Sequence, residues 1–152
     1  MSAGSQIGRA RAAGVGDLRE LLRLYRQLHP GDPVVDEHLA AATLEEILGT
    51  PGMTPLVIDA GSRLAATAYL NVIPNLTRSA SPYAVIENVV VDESLRGTGI
   101  GKRMMAAALE RAWAAGCYKA MLLTGSRRAS THAFYRACGF DGDDKTGYVA
   151  RP

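Results

Sequence analysis

The sequence has little of what marks out many protein classes. Only two cysteines occur in 152 residues, Cys117 and Cys138, and their spacing matches no metal-ligand pattern. A chain of this length can bury roughly two thirds of its unfolded surface, so it needs neither a metal nor a disulfide to hold a core. No apolar run is long enough to span a bilayer and no secretory leader is visible, which makes a reduced cytoplasm the expected location. Charge of one sign is also lacking. Seventeen basic residues face fifteen acidic ones, a formal charge of +2, and Lys and Arg are spread along the chain. That distribution argues against nucleic acid and membrane as partners, while leaving room for a local basic site. Repeats and low-complexity tracts are absent.

What is present is an ordinary globular composition, 47% hydrophobic and 21% charged. Residues 1–6 are expected to be a disordered tail and residues 7–152 one domain. Ile7 to Ala12 suits a first strand. Asp17 to Leu28 reads as a helix with Leu18, Leu21, Leu22, Tyr25 and Leu28 on one face. Asp36 can cap a second helix reaching Leu48, closed by Gly49 and Pro51. Pro55–Asp59 and Arg63–Val72 flank Ala60-Gly61-Ser62 as a hairpin. After a polar loop, Tyr83 to Val91 is apolar on both faces, the mark of an interior strand. A helix from Gly99 to Ala114 presents Ile100, Met104, Ala108 and Ala112 as one ridge. A strand from Tyr118 to Leu123 then completes a βαβ unit, whose two strands should be parallel. A short helix over Ser130–Ala137 follows, and the tail from Phe140 to Val149 is expected to add one or two strands. The sum is an α/β fold: a mixed, mostly antiparallel sheet with one parallel pair and helices on both faces.

The chemistry gathers at Val91-Asp92-Glu93-Ser94-Leu95-Arg96-Gly97-Thr98-Gly99-Ile100-Gly101, which joins the strongest strand to the longest helix. Glycines there let the backbone bend tightly and let a ligand approach, and the free N–H groups at a helix start attract phosphate oxygens. Two familiar phosphate motifs fail. The Walker pattern needs glycine where Arg96 stands, and the dinucleotide fingerprint needs one where Lys102 stands.

Strand, Val-Asp, then Arg96-Gly97-x-Gly99-x-Gly101 and an amphipathic helix resembles the acetyl-CoA motif of GNAT acetyltransferases, written Q/R-x-x-G-x-G/A. The resemblance implies an acetyl-CoA-dependent N-acetyltransferase in which backbone N–H groups of Arg96, Gly97, Thr98, Gly99, Ile100 and Gly101 hold the pyrophosphate. It also implies that Val89, Val90 and Val91 line the pantetheine arm, with Val89 and Val91 pairing with it through their backbone as an added strand would. Ile86-Glu87-Asn88-Val89 and Gly116-Cys117-Tyr118-Lys119 look like glucosamine-6-phosphate N-acetyltransferases, which commonly carry Glu-Asp where this chain has Glu87-Asn88. Ser126-Arg127-Arg128 with His132-x-Phe134-Tyr135 looks like aminoalkylphosphonate acetyltransferases. Both relatives act on small amines that carry a phosphate-type group, and dimers are common among such enzymes.

Acetyl transfer to an amine requires loss of the amine proton, polarisation of the thioester and reprotonation of the CoA thiolate. Tyr135 is the candidate acid, because a phenol is protonated at neutral pH and can donate to sulfur. Glu87 is the candidate base: strand alternation puts Glu87, Val89 and Val91 on one face. Arg78 and Asn88 are candidate substrate contacts, Arg78 for an anionic group. Arg128 is a candidate for reaching CoA. No metal is expected. Two other functions remain open at this point: an acyl-CoA-binding module without turnover, and a protein N-acetyltransferase.

Overall fold

The computed structural model describes residues 6–152. The part of the expected disordered tail that covers residues 1–5 lies outside the described residues, and Gln6 is exposed. Five strands form one sheet in sequence order: β1 (Ile7–Ala12), β2 (Met53–Ala60), β3 (Arg63–Ile73), β4 (Tyr83–Val91) and β5 (Ala120–Met121). The first four are successively antiparallel, and β5 lies parallel to β4. Helices α1 (Leu18–Leu28) and α2 (Glu37–Gly49) cover one face, and α4 (Ile100–Ala114) covers the other. A single turn, α3 (Thr77–Ala80), precedes β4, and α5 (Ala129–Ala137) follows β5. No helix among the described residues is long and apolar enough to cross a membrane.

The expected ridge on α4 is the main core contact. Ile100, Met104, Ala108 and Ala112 are buried together with Met105, against Leu56, Ile58, Ala66, Ala68, Leu70, Ala84 and Ile86 of the sheet. Each fully buried Met or Ile side chain contributes roughly 1.5–3 kcal/mol. Alanines on β3 let α4 sit close to the sheet. On the other face, Leu21 and Leu24 of α1 and Leu44 of α2 pack on Val57, Leu64 and Val90. Here the expected α1 face needs correction: Leu24 is fully buried, whereas Leu22 is outside this cluster. Asp36 caps α2 as expected, accepting a hydrogen bond from the Leu39 N–H at 2.9 Å.

Two further expectations are corrected. The strand expected over Tyr118–Leu123 pairs only at Ala120 and Met121. The tail adds no strand among the described residues. Phe140 packs on the core, but Asp141-Gly142-Asp143-Asp144 turns instead of extending, with the Asp143 N–H donating to the Asp141 carboxylate at 2.9 Å. In β4 an irregularity also changes the pattern. The register passes from Tyr69↔Glu87 to Thr67↔Val90, so β4 spends one more residue than β3, and Asn88 adopts φ 50°. That is a β-bulge. It puts Glu87 on the same face as Val90, the α1 face, and turns Val89 and Val91 to the α4 face. The expectation that Glu87, Val89 and Val91 share a face is therefore overturned.

Gly52, just before β2, has φ +85° and lies so close to the Val72 carbonyl oxygen that a Cβ would collide with backbone. Its own carbonyl accepts from the Val72 N–H at 2.8 Å. Gly52→Ala should destabilise the fold by more than about 1 kcal/mol, since the native backbone rejects a side chain there. Gly31→Ala, at an open position, serves as the matched control. Urea unfolding of the two variants measures the difference, and equal midpoints would contradict it.

Candidate active site

The pairing of β4 with β5 ends at Val85↔Met121, yet β4 runs on for six more residues to Val91. At roughly 3.3 Å per residue this leaves about 20 Å of β4 without a neighbour on that side. The strands part there, and a cleft of about 720 Å3 opens. Val89, Val90 and Val91 form one wall, and Ser130, Thr131, Phe134 and Tyr135 of α5 form the other. Arg96, Gly97, Gly99, Gly101 and Lys102 close one end, and Gln27 and Leu28 of α1 reach its rim.

The glycine-rich turn is shaped as its sequence requires. Gly97 and Gly99 have φ of +75° and +85°, where a side chain is strained, and Gly99 is the N-cap of α4. No backbone acceptor within the described residues takes the N–H of Gly97, Thr98 or Gly99, and the first N–H groups of α4 have none by helix geometry. A Cβ on Gly101 would come within 3.1 Å of the Phe134 ring and 3.3 Å of Val91, so this glycine lets α5 close on α4. Unpartnered N–H groups, a helix N-terminus and absent side chains fit a diphosphate in that end of the cleft.

Asp92 stands between strand and turn and is almost fully buried, at 4% exposure. Burial pushes its carboxyl up. The Ser94 hydroxyl at 2.5 Å, the Arg23 guanidinium and the Ser94 N–H at 3.0 Å outweigh that and hold it well below the usual carboxylate range.

Tyr135 lies in the cleft wall, its ring edge-on to Phe134 (centroids 5.1 Å apart) and to Phe140 (6.2 Å). Burial raises its phenol above the ordinary value, and Cys138 adds to this, so the hydroxyl is protonated at neutral pH. Val89, Val90, Val91, Arg96, Gly97, Gly99 and Gly101 meet Tyr135 in this one cleft. Thr98 and Ile100 instead line a second cavity of about 450 Å3 behind the turn, with Arg63 and Arg103. Glu87 and Asn88 are exposed at the bulge, and Arg128 is the exposed N-cap of α5; none of the three lines the cleft. Arg78 sits beyond the opposite end of β4, its guanidinium 5.7 Å from the centre of the Tyr118 ring, and Lys119 packs over Tyr83 and Tyr118. Arg78, Ser79 and Ala80 all have positive φ, an uncommon left-handed turn. The sequence reading missed Gln27, Lys102, Ser130 and Thr131 as cleft residues. Lys102 and the α5 pair were accessible from helix periodicity around Gly101 and Tyr135; Gln27 had no local signal.

The profile of the acetyltransferase (GNAT) family matches residues 18–140, a span that includes the glycine turn and Tyr135. The chain belongs to the GNAT family. It is an acetyl-CoA-dependent acetyltransferase. Over 130 residues it is 35% identical to glucosamine 6-phosphate N-acetyltransferase 1 of Oryza sativa subsp. japonica, a match covering 80% of this chain and 73% of that one. A solved structure from Agrobacterium tumefaciens, provisionally named an acetyltransferase, is 48% identical, with a TM-score of 0.90 and coverage of 94% and 99%. The glucosamine-6-phosphate N-acetyltransferase structure from Arabidopsis thaliana has a TM-score of 0.83 at 24% identity, covering 97% and 98%, and shares the fold.

The start of the turn is tied to α1 and to Ser94 through the Asp92 carboxylate. Its folded pKa lies below its unfolded one, so the native state binds fewer protons between the two, and stability rises with pH across that window. Asp92→Asn should therefore cost about 1.5–3 kcal/mol at neutral pH, the worth of hydrogen bonds to a charged group. The gap between wild type and variant should be complete above about pH 5 and shrink as pH falls through the acid range. Thermal unfolding between pH 3 and pH 7 tests this; a gap independent of pH would refute it.

Proposed function

We propose that this acetyltransferase moves the acetyl group of acetyl-CoA to the primary amine of a small molecule bearing a phosphate-type group, by direct attack in a ternary complex. The observation that carries the reading is the bared edge of β4, which runs from the glycine turn past the α5 wall that holds Tyr135. In this reading the diphosphate rests on the N–H groups between Arg96 and Gly101. The pantetheine arm takes the place of the missing strand beside Val89, Val90 and Val91. The amine nitrogen forms its new bond to the thioester carbonyl carbon, the C–S bond breaks, and the Tyr135 hydroxyl gives its proton to the departing sulfur. Glu87, or water ordered by it, takes the amine proton. Its exposure and its place on the α1 face suit a route through solvent.

The phosphate-type group is supported by the sequence likeness to the rice glucosamine 6-phosphate enzyme. It is supported too by the two cations, Arg78 and Lys119, that share the Tyr118 ring at the other end of β4. Asn88, beside Glu87 in the bulge, is available to the substrate. Arg128 at the mouth of α5 is available to the cofactor.

Two outcomes are expected. Tyr135→Phe removes one hydroxyl and should lower kcat about tenfold to a thousandfold with little change in the acetyl-CoA KM, because acid–base groups supply roughly a hundredfold to ten-thousandfold. Wild-type turnover by this variant would remove Tyr135 from the proton path. Glucosamine 6-phosphate should be acetylated with a higher kcat/KM than glucosamine, and Arg78→Ala should reduce that preference about tenfold, the size of a charged hydrogen bond. Release of free thiol measures both. Cofactor binding with no thiol release from any amine would favour a binding module.

A further inference from the structure

The polar face of α1 lies far from the glycine turn in sequence, yet it is bonded to the start of that turn. Glu20, Arg23 and Gln27 follow one another along one side of the helix, a spacing that aligns side chains. Arg23 donates to both Glu20 carboxylate oxygens at 3.0 Å, to the Leu64 carbonyl at 2.8 Å and to Asp92. Glu20 in turn accepts from the Leu64 N–H at 2.9 Å. Gln27 carries the chain further. Its amide oxygen accepts from the Glu93 N–H at 2.9 Å, and its amide nitrogen lies 3.5 Å from Asp92. Asp92 itself takes the N–H and hydroxyl of Ser94. Residues 92 to 94 are thus held at each position, Asp92 by Arg23, Glu93 by Gln27 and Ser94 by Asp92.

Glu93–Leu95 is a 3-10 turn, and it is the limb that delivers the chain into Arg96–Gly101. Its other backbone ties among the described residues are Leu95 N–H to the Asp92 carbonyl at 2.9 Å and the Leu95 carbonyl, which accepts from the Thr98 hydroxyl. Beyond it, Gly97 and Gly99 supply freedom, not rigidity. A diphosphate held by several N–H groups at once needs those groups aimed before it arrives, since aiming them on binding costs affinity. The far end of the turn is anchored by α4, with Ile100 in the core, and the near end is the one that α1 grips.

Resting on the acetyl-CoA reading above, we propose that Gln27 is a positioning residue for the diphosphate end of the cofactor: through Glu93 it fixes the approach to the glycine turn and so sets cofactor affinity. Arg23 and Asp92 share the task, but they also tie α1 to the β2–β3 hairpin and to the core, so their loss disturbs the fold as well. Gln27 sits at the rim, where its removal exposes the Glu93 N–H to water and leaves no buried group unpaired.

The test compares two acetyl donors, one with and one without the diphosphate and the nucleoside it carries. Gln27→Ala and Gln27→Met, the second keeping the volume of the side chain, are assayed with acetyl-CoA and with S-acetylpantetheine, which has the same thioester and arm but no diphosphate. Both variants should raise the acetyl-CoA KM about threefold to tenfold, the worth of one hydrogen bond. The kcat, the amine KM and the kcat/KM for S-acetylpantetheine should stay at wild-type values, as should the urea midpoint within error. Equal losses with both donors would show a general structural role and overturn the proposal, and so would an unchanged acetyl-CoA KM. A Met variant that behaves as wild type would assign the effect to packing and also overturn it. Wild-type protein that turns over neither donor would defeat the functional reading itself, and the proposal with it.

Discussion

Everything at the candidate site depends on β4 leaving β5 after two paired positions. A parallel pair held along its full length would satisfy the backbone of Val89 to Val91 and bury the edge that the cleft requires. Instead β5 stops at Met121 while the chain of β4 continues to the glycine turn. The unpaired edge is tolerable because its polar backbone faces an open cleft, where water or ligand can meet it. Three features border the gap: the bulge at Asn88, the α5 wall and the close approach of Phe134 to Gly101.

The surrounding fold is built to withstand that gap. Four antiparallel strands and the buried ridge of α4 form a core to which β5 adds only the partly buried Ala120. The helices α1 and α2 close the opposite face, and α1 also reaches across to the turn through side chains. The rigid part of the molecule thus frames a cleft whose own walls are loosely paired, an arrangement suited to admitting a long, thin cofactor arm between them.

Much of this was legible in the sequence, and for identifiable reasons. The glycine turn could be read because its requirements are local: positive φ at Gly97 and Gly99, and no side chain at Gly101. The α4 ridge could be read because one face carries nearly all its burial. Tyr135 stood out through its aromatic neighbours, Phe134 and Phe140, which do pack on it. The bulge at Asn88 was invisible. Val85, Ile86, Val89, Val90 and Val91 are apolar on both sides of the slip, so no break in the pattern reveals it. Gln27 and Arg23 were invisible for another reason: their partners at Glu93 and Asp92 lie 66 and 69 residues away. The tail forms no strand because Tyr148 and Val149 are exposed, with no apolar face to bury, and the aspartates before them bend the chain.

The extra residue in β4 acts as a phase shift. Before it, even-numbered residues answer to the α4 layer; after it, odd-numbered ones do. The strand is in effect two half-strands of opposite parity fused into one. The first half belongs to the core and the second to the cleft. Point changes on either half can be absorbed separately, but removal of a single residue between Glu87 and Val89 would exchange inside for outside along the whole cleft-facing segment. The segment is thereby far more sensitive to length than to composition.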